Sequence, residues 1–160
     1  MPKLEILSEQ QREMLLNWPS PENEDSPWTA MSKSLSECKV ALVTTAGLHV
    51  RGDKPFTTAK NGGDASFRVI PRLTDPADIV QSHTSIGFDR TSIYKDINIT
   101  FPIDRLNELV ALGKIGSLSD YYYSFMGALR NPAGLTDEYG PEVAKSLIAE
   151  GVDVVLLIPT

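Results

Sequence analysis

Cysteine is almost absent: Cys38 is the one cysteine in 160 residues, so no internal disulfide framework is possible. No apolar run approaches the roughly 20 residues that a membrane-spanning helix needs. Positive charge is in the minority, 15 Lys and Arg against 21 Asp and Glu for a net charge of −6. With a pI near 4.9, the chain carries no electrostatic footprint for nucleic acid or an anionic membrane. The N-terminal MPKLE lacks the basic-then-apolar pattern of a signal peptide. Together these absences predict a soluble, cytoplasmic protein. What is present is ordinary: 41% hydrophobic and 22% charged residues, the balance of a globular domain. A mass of 17.6 kDa suits one domain with a sizeable core.

Residues 4–18 read as a helix, with Ser8 as N-cap and Gln11 at capping-box spacing. Met14, Leu15 and Trp18 form its apolar stripe. Pro19, Pro21 and Pro27 then mark an acidic extended arm leading to Trp28, and the two tryptophans call for apolar cover from the domain or a partner. The chain thus divides into an N-terminal helix and Pro-rich arm (1–38) and an α/β domain (39–160).

Residues 39–45 (KVALVTT) are a continuous aliphatic and β-branched run, as in a strand buried on both faces of a parallel sheet. Residues 46–53 (AGLHVRGD) read as a Gly-punctuated loop, 61–64 (NGGD) as a turn, and 67–70 as a short strand ahead of Pro71. Residues 74–101 have little periodicity and many reactive side chains, the mark of a functional segment or one hiding short elements. Pro102 opens a helix whose buried stripe is Ile103, Leu106, Leu109, Val110 and Leu112, with Gly113 as its stop. Residues 121–127 (YYYSFMG) read as turn-rich. A last helix over 136–150, with Val143, Ala144, Leu147 and Ile148 inward and Gly151 as C-cap, leads into a second buried-type strand at 152–158.

This order predicts an α/β fold with a partial doubly wound, Rossmann- or flavodoxin-like, mostly parallel sheet. In such sheets ligands sit beyond the carboxyl ends of the strands. That singles out the loop after Thr45 and whatever follows Ile158. An α/β domain seldom ends on an apolar strand, so the C-terminus is expected to be cut, leaving a fragment that is marginally stable or associates through the uncovered face.

Several blocks carry a resemblance: VALVTTAGLHVRGDKPF, SFRVIP, TDPADIVQSHTSIGFDRT, DINITFPIDRLNEL and IGSLSDYYYSFMG, in order. From Lys39 to Thr160 the chain resembles the selenoprotein B subunits of the glycine, sarcosine, betaine and D-proline reductase complexes and their shorter bacterial relatives. The resemblance implies that the strand matching VDVVLLIPT is followed at once by a selenocysteine or cysteine, usually with a second cysteine a few positions on. Selenocysteine is encoded by UGA, which implies a reading stopped at its own UGA codon; a shortened or naturally ending frame is the rival. At a helix start, such a selenolate or thiolate is stabilised by the helix dipole. The family also implies attack on a substrate carbon, release of an amine and a selenoether left on the protein. Its implied partners are other reductase subunits, a thioredoxin-type reductant and a small amino-acid-like substrate, with no bound metal or flavin.

Candidate site residues fall in two of these blocks. In the first, Arg51 suits a bidentate clamp on a substrate carboxylate, and His49 a proton donor to a leaving amine; Asp53 belongs to the same block, and an Arg51–Asp53 pair pinning the loop is the structural alternative. In the second lie Ser82, His83, Asp89 and Arg90, where His83 and Asp89 suit an oriented acid–base pair, against a loop merely held by polar contacts. Ser82 and Arg90, with Arg51 and Asp53, count as substrate-side groups. A metal site from His49, His83 and a carboxylate lacks any recognised ligand spacing. Asp75 and Asp78 read as turn or cap residues, and Cys38, ahead of the first strand, as an inert small residue rather than a nucleophile. Tyr121, Tyr122 and Tyr123 favour packing over a cation–π cage. Residues 61–64 are not a dinucleotide fingerprint. A reading from another class is a non-catalytic subunit that binds a small carboxylate or scaffolds a partner.

Overall fold

The structure is a computed structural model that describes residues 3–17, 26, 28–57, 63–83, 85, 88–129 and 131–160. Trp18, Pro19, Pro21, Pro27, Asn61 and Gly62 lie outside the described residues, so the expectations for the arm and that turn are not carried further. The chain forms two units, Met1–Ala30 and Met31–Thr160.

In the first unit a single 3-10 turn, Leu4–Ile6, precedes helix α1, Glu9–Leu16. Ser8 caps α1 as its spacing predicts: Gln11 N–H donates to Ser8 Oγ at 3.3 Å, and Ser8 N–H donates back to Gln11 Oε1 at 3.2 Å. The helix buries no residue; Met14 and Leu15 are exposed, as is Trp28.

The second unit is built around β1 (Lys39–Thr44), whose residues from Val40 onward are all buried. One side of β1 is lined in parallel by β5 (Ser117–Leu118) and then β6 (Tyr121–Ser124); the other side by β7 (Val154–Ile158), also parallel. β3 (Arg68–Pro71) closes the β6 edge in antiparallel register. Side chains alternate across a strand, and the core divides accordingly. Val40 and Leu42 pack with Ile103 and Leu106 of helix α3 (Ile103–Ala111), together with Phe101 and Tyr122. Ala41 and Val43 pack with Val143 and Leu147 of helix α4 (Gly140–Ala149) and with Tyr123 and Phe125. Each fully buried aliphatic side chain contributes about 1.5–3 kcal/mol, so a strand filled on both faces anchors the unit.

Several expectations need correction. Residues 48–50 are not loop: β2 (Leu48–Val50) pairs antiparallel with β4 (Ile79–Gln81) in a separate ribbon. The 74–101 stretch also contains helix α2 (Arg90–Lys95) and single turns at Pro76–Asp78 and Ile97–Ile99. The tyrosine run is strand, with Tyr122 and Tyr123 buried on opposite faces. A five-residue π-turn, Leu135–Tyr139, precedes α4. Of its expected inward residues Ala144 and Ile148 are exposed, while on α3 Leu109 and Leu112 are exposed. β7 is an edge strand with exposed Val155, Leu156 and Leu157. The fold is mixed α/β with a parallel centre; its strand order does not establish a Rossmann- or flavodoxin-like winding.

Candidate functional site at the strand ends

Because β1, β6 and β7 are parallel, their carboxyl ends meet at one edge of the sheet. Thr45 N–H donates to Ile158 O at 3.1 Å, Phe125 N–H to Thr44 O at 2.8 Å, Gly127 N–H to Thr45 O at 2.9 Å, and Gly47 N–H to Phe125 O at 2.9 Å. Thr160 joins the same knot through its N–H, which donates to Thr45 Oγ1 at 2.9 Å.

His83 is delivered to this knot by β4. Ser82 N–H donates to Gly47 O at 2.9 Å, and Gln81 Nε2 to Ala46 O at 3.1 Å. Gly47 has φ +67, and a Cβ on it would lie 2.9 Å from both Cα and N of His83; only glycine permits this approach. The imidazole is 3% exposed and stacks on Phe88, ring centroids 4.4 Å apart. Its Nδ1 accepts from Ser85 N–H at 3.1 Å, which leaves the proton on Nε2. Burial, and then the Arg90 guanidinium, hold its pKa below the usual histidine value, because both disfavour the cation. A Cβ on Gly127 would lie 3.3 Å from His83 Nε2, 3.1 Å from Thr160 O and 3.4 Å from Thr45 O. The imidazole edge therefore faces the point where β7 runs out.

Among the described residues, His83 Nε2, Gln81 Oε1 and Thr100 Oγ1 are buried without a hydrogen-bond partner. All three belong to residues joined to positions 44–47: Thr44 Oγ1 donates to Thr100 O at 2.9 Å. Buried polar atoms left unpaired cost about 1–3 kcal/mol each, so each calls for an explanation. The other two such atoms, Arg72 Nε and Tyr122 Oη, belong elsewhere; Arg72 Nε lies 3.5 Å from Asp120 Oδ1, an ion pair without hydrogen-bond geometry.

The remaining expected residues are dispersed. His49 is buried on β2, with Nδ1 2.9 Å from Val50 O. Arg51 leaves the far end of the ribbon, where Nε donates to Asp78 Oδ1 at 3.2 Å and a terminal nitrogen to Ala77 O at 2.9 Å. From Asp78 to His83 is roughly 15 Å of extended chain, so the structure does not bring Arg51 to the strand ends. Asp78, not Asp53, is its partner, and Asp53 is exposed. Arg51 instead lines a cavity of about 530 Å³ with Lys95, Tyr94 and Ile79.

Asp89 and His83 are not paired. Asp89 caps α2, accepting from Thr91 N–H at 2.9 Å, Thr91 Oγ1 at 2.7 Å and Ser92 Oγ at 2.5 Å. Those bonds, Ser92's first and then Thr91's, push its pKa down to about 2. Arg90 donates to His83 O at 2.7 Å, and Ser82 Oγ accepts from Phe56 N–H at 2.8 Å; both hold the loop. Among the described residues no group of three His, Cys, Asp or Glu could hold a metal. Asp75 caps the Pro76–Asp78 turn, and the Cys38 thiol is buried, donating to Ser34 O at 3.2 Å.

Beside the strand ends, on the α4 side, runs a groove of about 730 Å³ lined by Phe125, Leu129, Leu147, Leu157 and Pro159 among others. Its walls are almost wholly apolar, so a charged amino acid would lose its hydration there without replacement. Thr45, Gln81 and Gly127 complete the polar edge at His83. Thr45 closes the KVALVTT run and was legible as a strand end; Gln81 and Gly127 carry no local signal.

The geometry defines an α/β chain with a polar site at the carboxyl ends of parallel strands. Residues 6–160 match the family model described as glycine/sarcosine/betaine reductase selenoprotein B (GRDB), and the chain belongs to this family. It is 44% identical over 130 residues to D-proline reductase subunit gamma of Acetoanaerobium sticklandii, covering 81% of this chain and 52% of that one. To glycine reductase complex component B subunit gamma of Carboxydothermus hydrogenoformans it is 32% identical over 145 residues, covering 89% and 32%. To sarcosine reductase complex component B subunit beta of Peptoclostridium acidaminophilum it is 30% identical over 145 residues, covering 89% and 33%. The chain thus spans about half the length of the first relative and about a third of the other two. No solved structure matches it. No helix among the described residues is long and apolar enough to cross a membrane.

Proposed function

We propose that this chain is a component of a glycine-, sarcosine-, betaine- or D-proline-type reductase complex, working in the cytoplasm on a small amino-acid-like substrate. In this reading a selenocysteine or cysteine directly after Thr160 is the nucleophile. Its anion attacks the carbon that bears the nitrogen; a carbon–selenium or carbon–sulfur bond forms, and the carbon–nitrogen pair leaves with the amine. A cysteine thiolate then attacks the chalcogen of that adduct; the carbon fragment leaves with the bonding pair, takes up a proton and passes to other subunits, and a thioredoxin-type dithiol reduces the resulting selenium–sulfur or disulfide bond, becoming a disulfide itself as the anion is restored. The observation that carries the reading is His83 Nε2, buried and unpaired among the described residues, on the same side of Gly127 as the main chain of Thr160. The relatives' names, all subunits of such reductases, support it from a separate direction.

The test is made on the polypeptide purified from its own cells with its complex. Peptide mass mapping reads the residue after Thr160, and amine release is followed with glycine, sarcosine and betaine, ring opening with D-proline. Turnover of one substrate, abolished by alkylation of a selenocysteine or cysteine at that position, is the expected result. A complex that turns over none of the four, or one with neither residue there, overturns the reading.

A further inference from the structure

We infer that His83 serves the strand-end site as a fixed hydrogen-bond donor, its Nε2–H binding an anionic acceptor there, rather than as an acid or base. This rests on the reductase reading and assigns a role within that site. Contacts among the described residues fix the ring at Nδ1, on one face and through its main chain. Ser85 N–H occupies Nδ1 at 3.1 Å, so protonating that nitrogen sets two N–H groups against each other. Phe88 covers one ring face, Gly47 presses on the backbone, and Arg90 fastens the His83 carbonyl at 2.7 Å. Asp89, the carboxylate that would stabilise an imidazolium, is committed to capping α2. A guanidinium is the charge beside the ring, and it favours the neutral form.

What is left is one N–H, buried and unpaired among the described residues, beside Gly127, which contributes no side chain. A preorganised donor in a site shielded from water stabilises negative charge far better than it would in solvent. The acceptor chemistry is an anion, either the substrate's carboxylate or the chalcogen anion at the end of β7. Neither requires a proton from His83: a quaternary nitrogen, for one, leaves as a neutral amine.

Two measurements test the inference. In the full-length polypeptide labelled with nitrogen-15, long-range proton–nitrogen spectra should show His83 as the neutral Nε2–H form at pH 6, where a free histidine is mostly charged. Adding acetate, glycine, betaine or D-proline should move the Nε2 signal saturably if the carboxylate is the acceptor, and Gly127→Ala should abolish that shift. In the assembled complex, His83→Gln keeps an N–H donor and loses the ionisation. It should retain at least a tenth of wild-type turnover with an unchanged pH profile, whereas His83→Ala, checked for native circular dichroism, should fall about 100-fold. If carboxylates leave the signal unmoved but the Gln and Ala variants still separate, the acceptor is the chalcogen anion and the inference stands. Gln and Ala variants equally inactive, or a cationic His83 at pH 6, overturn it. Should the wild-type complex turn over none of the four substrates, the reductase reading fails, and the spectra decide alone: a carboxylate shift upholds the donor and its absence rejects it.

Discussion

Thr45 holds Thr160 by both of its main-chain polar groups: Thr160 N–H donates to Thr45 Oγ1 at 2.9 Å, and the same hydroxyl donates to Thr160 O at 3.4 Å. One side chain at the end of β1 thus fixes where β7 leaves the sheet, beside His83.

That link predicts the outcome of Thr45→Val, which keeps the β-branched shape and removes the hydroxyl. Global stability should fall by only about 1 kcal/mol, because the core is untouched. Hydrogen exchange at Thr160 N–H, however, should accelerate to the rate of an unprotected amide. Unchanged protection would mean that Thr160 is held by something other than Thr45.

The approach of Gly47 to His83 predicts a contrast between two glycines. Gly47→Ala combines a left-handed φ of +67 with a Cβ 2.9 Å from His83 backbone atoms, whereas Gly52 has φ +93 and nothing within 4 Å. Alanine at Gly52 should cost about 1 kcal/mol of backbone strain; at Gly47 the collision should raise the loss to about 2 kcal/mol or more. Thermal unfolding of the two variants side by side decides it, and equal losses would deny the close packing of the His83 loop.

Asp89 gives a pH dependence with a definite sign. Its folded pKa is depressed to about 2 by the Ser92 and Thr91 bonds. Its contribution is therefore complete above the ordinary carboxylate value and is lost as pH falls through that value toward 2. Acid titration of stability between pH 5 and 2 should show a slope that Asp89→Ala flattens, with fraying of α2 in its amide exchange. An identical slope in the variant would remove Asp89 from the account.

Arg68 is the best-buried charge pair of the β3 edge. It meets Asp64 at 3.3 Å, both side chains largely covered, stacks 4.2 Å over the Phe56 ring, and donates to the carbonyls of Lys54, Pro55 and Phe67. Arg68→Ala leaves Asp64 half-buried without its cation, though still bonded by Thr57 and Ser66, and should cost about 1–3 kcal/mol. Lysine cannot reproduce the planar fork, so Arg68→Lys should recover little of it in urea unfolding. Near-wild-type stability of the lysine variant would show that only the charge matters.

Local chemistry made part of this protein legible in the sequence. The Ser8–Gln11 capping box, the Asp75 cap and the glycine stops at 113 and 151 are short-range rules, and the structure obeys them. The run at 39–45 showed a strand filled on both faces because an unbroken aliphatic run has nowhere polar to face. The ribbon of residues 48–50 and 79–81 was not legible, since three-residue strands are too short to show a period and pair across 30 positions. β7 looked like β1 in composition yet lies at the edge, because burial depends on what packs against a strand.

The candidate site divides in the same way. Sequence alone determined the family blocks, the presence of His83 and Asp89 within them, and the rule that ligands gather at strand ends. Only the tertiary structure decided that Asp89 caps a helix instead of orienting His83, that Arg51 sits at the far end of a ribbon, and that Thr45, Gly127 and Thr160 meet beside His83. The physical reason is that a hydrogen bond is granted by distance and direction in space. Residues 45, 83, 127 and 160 share no local rule, and only parallel strands ending together bring them within reach of one another.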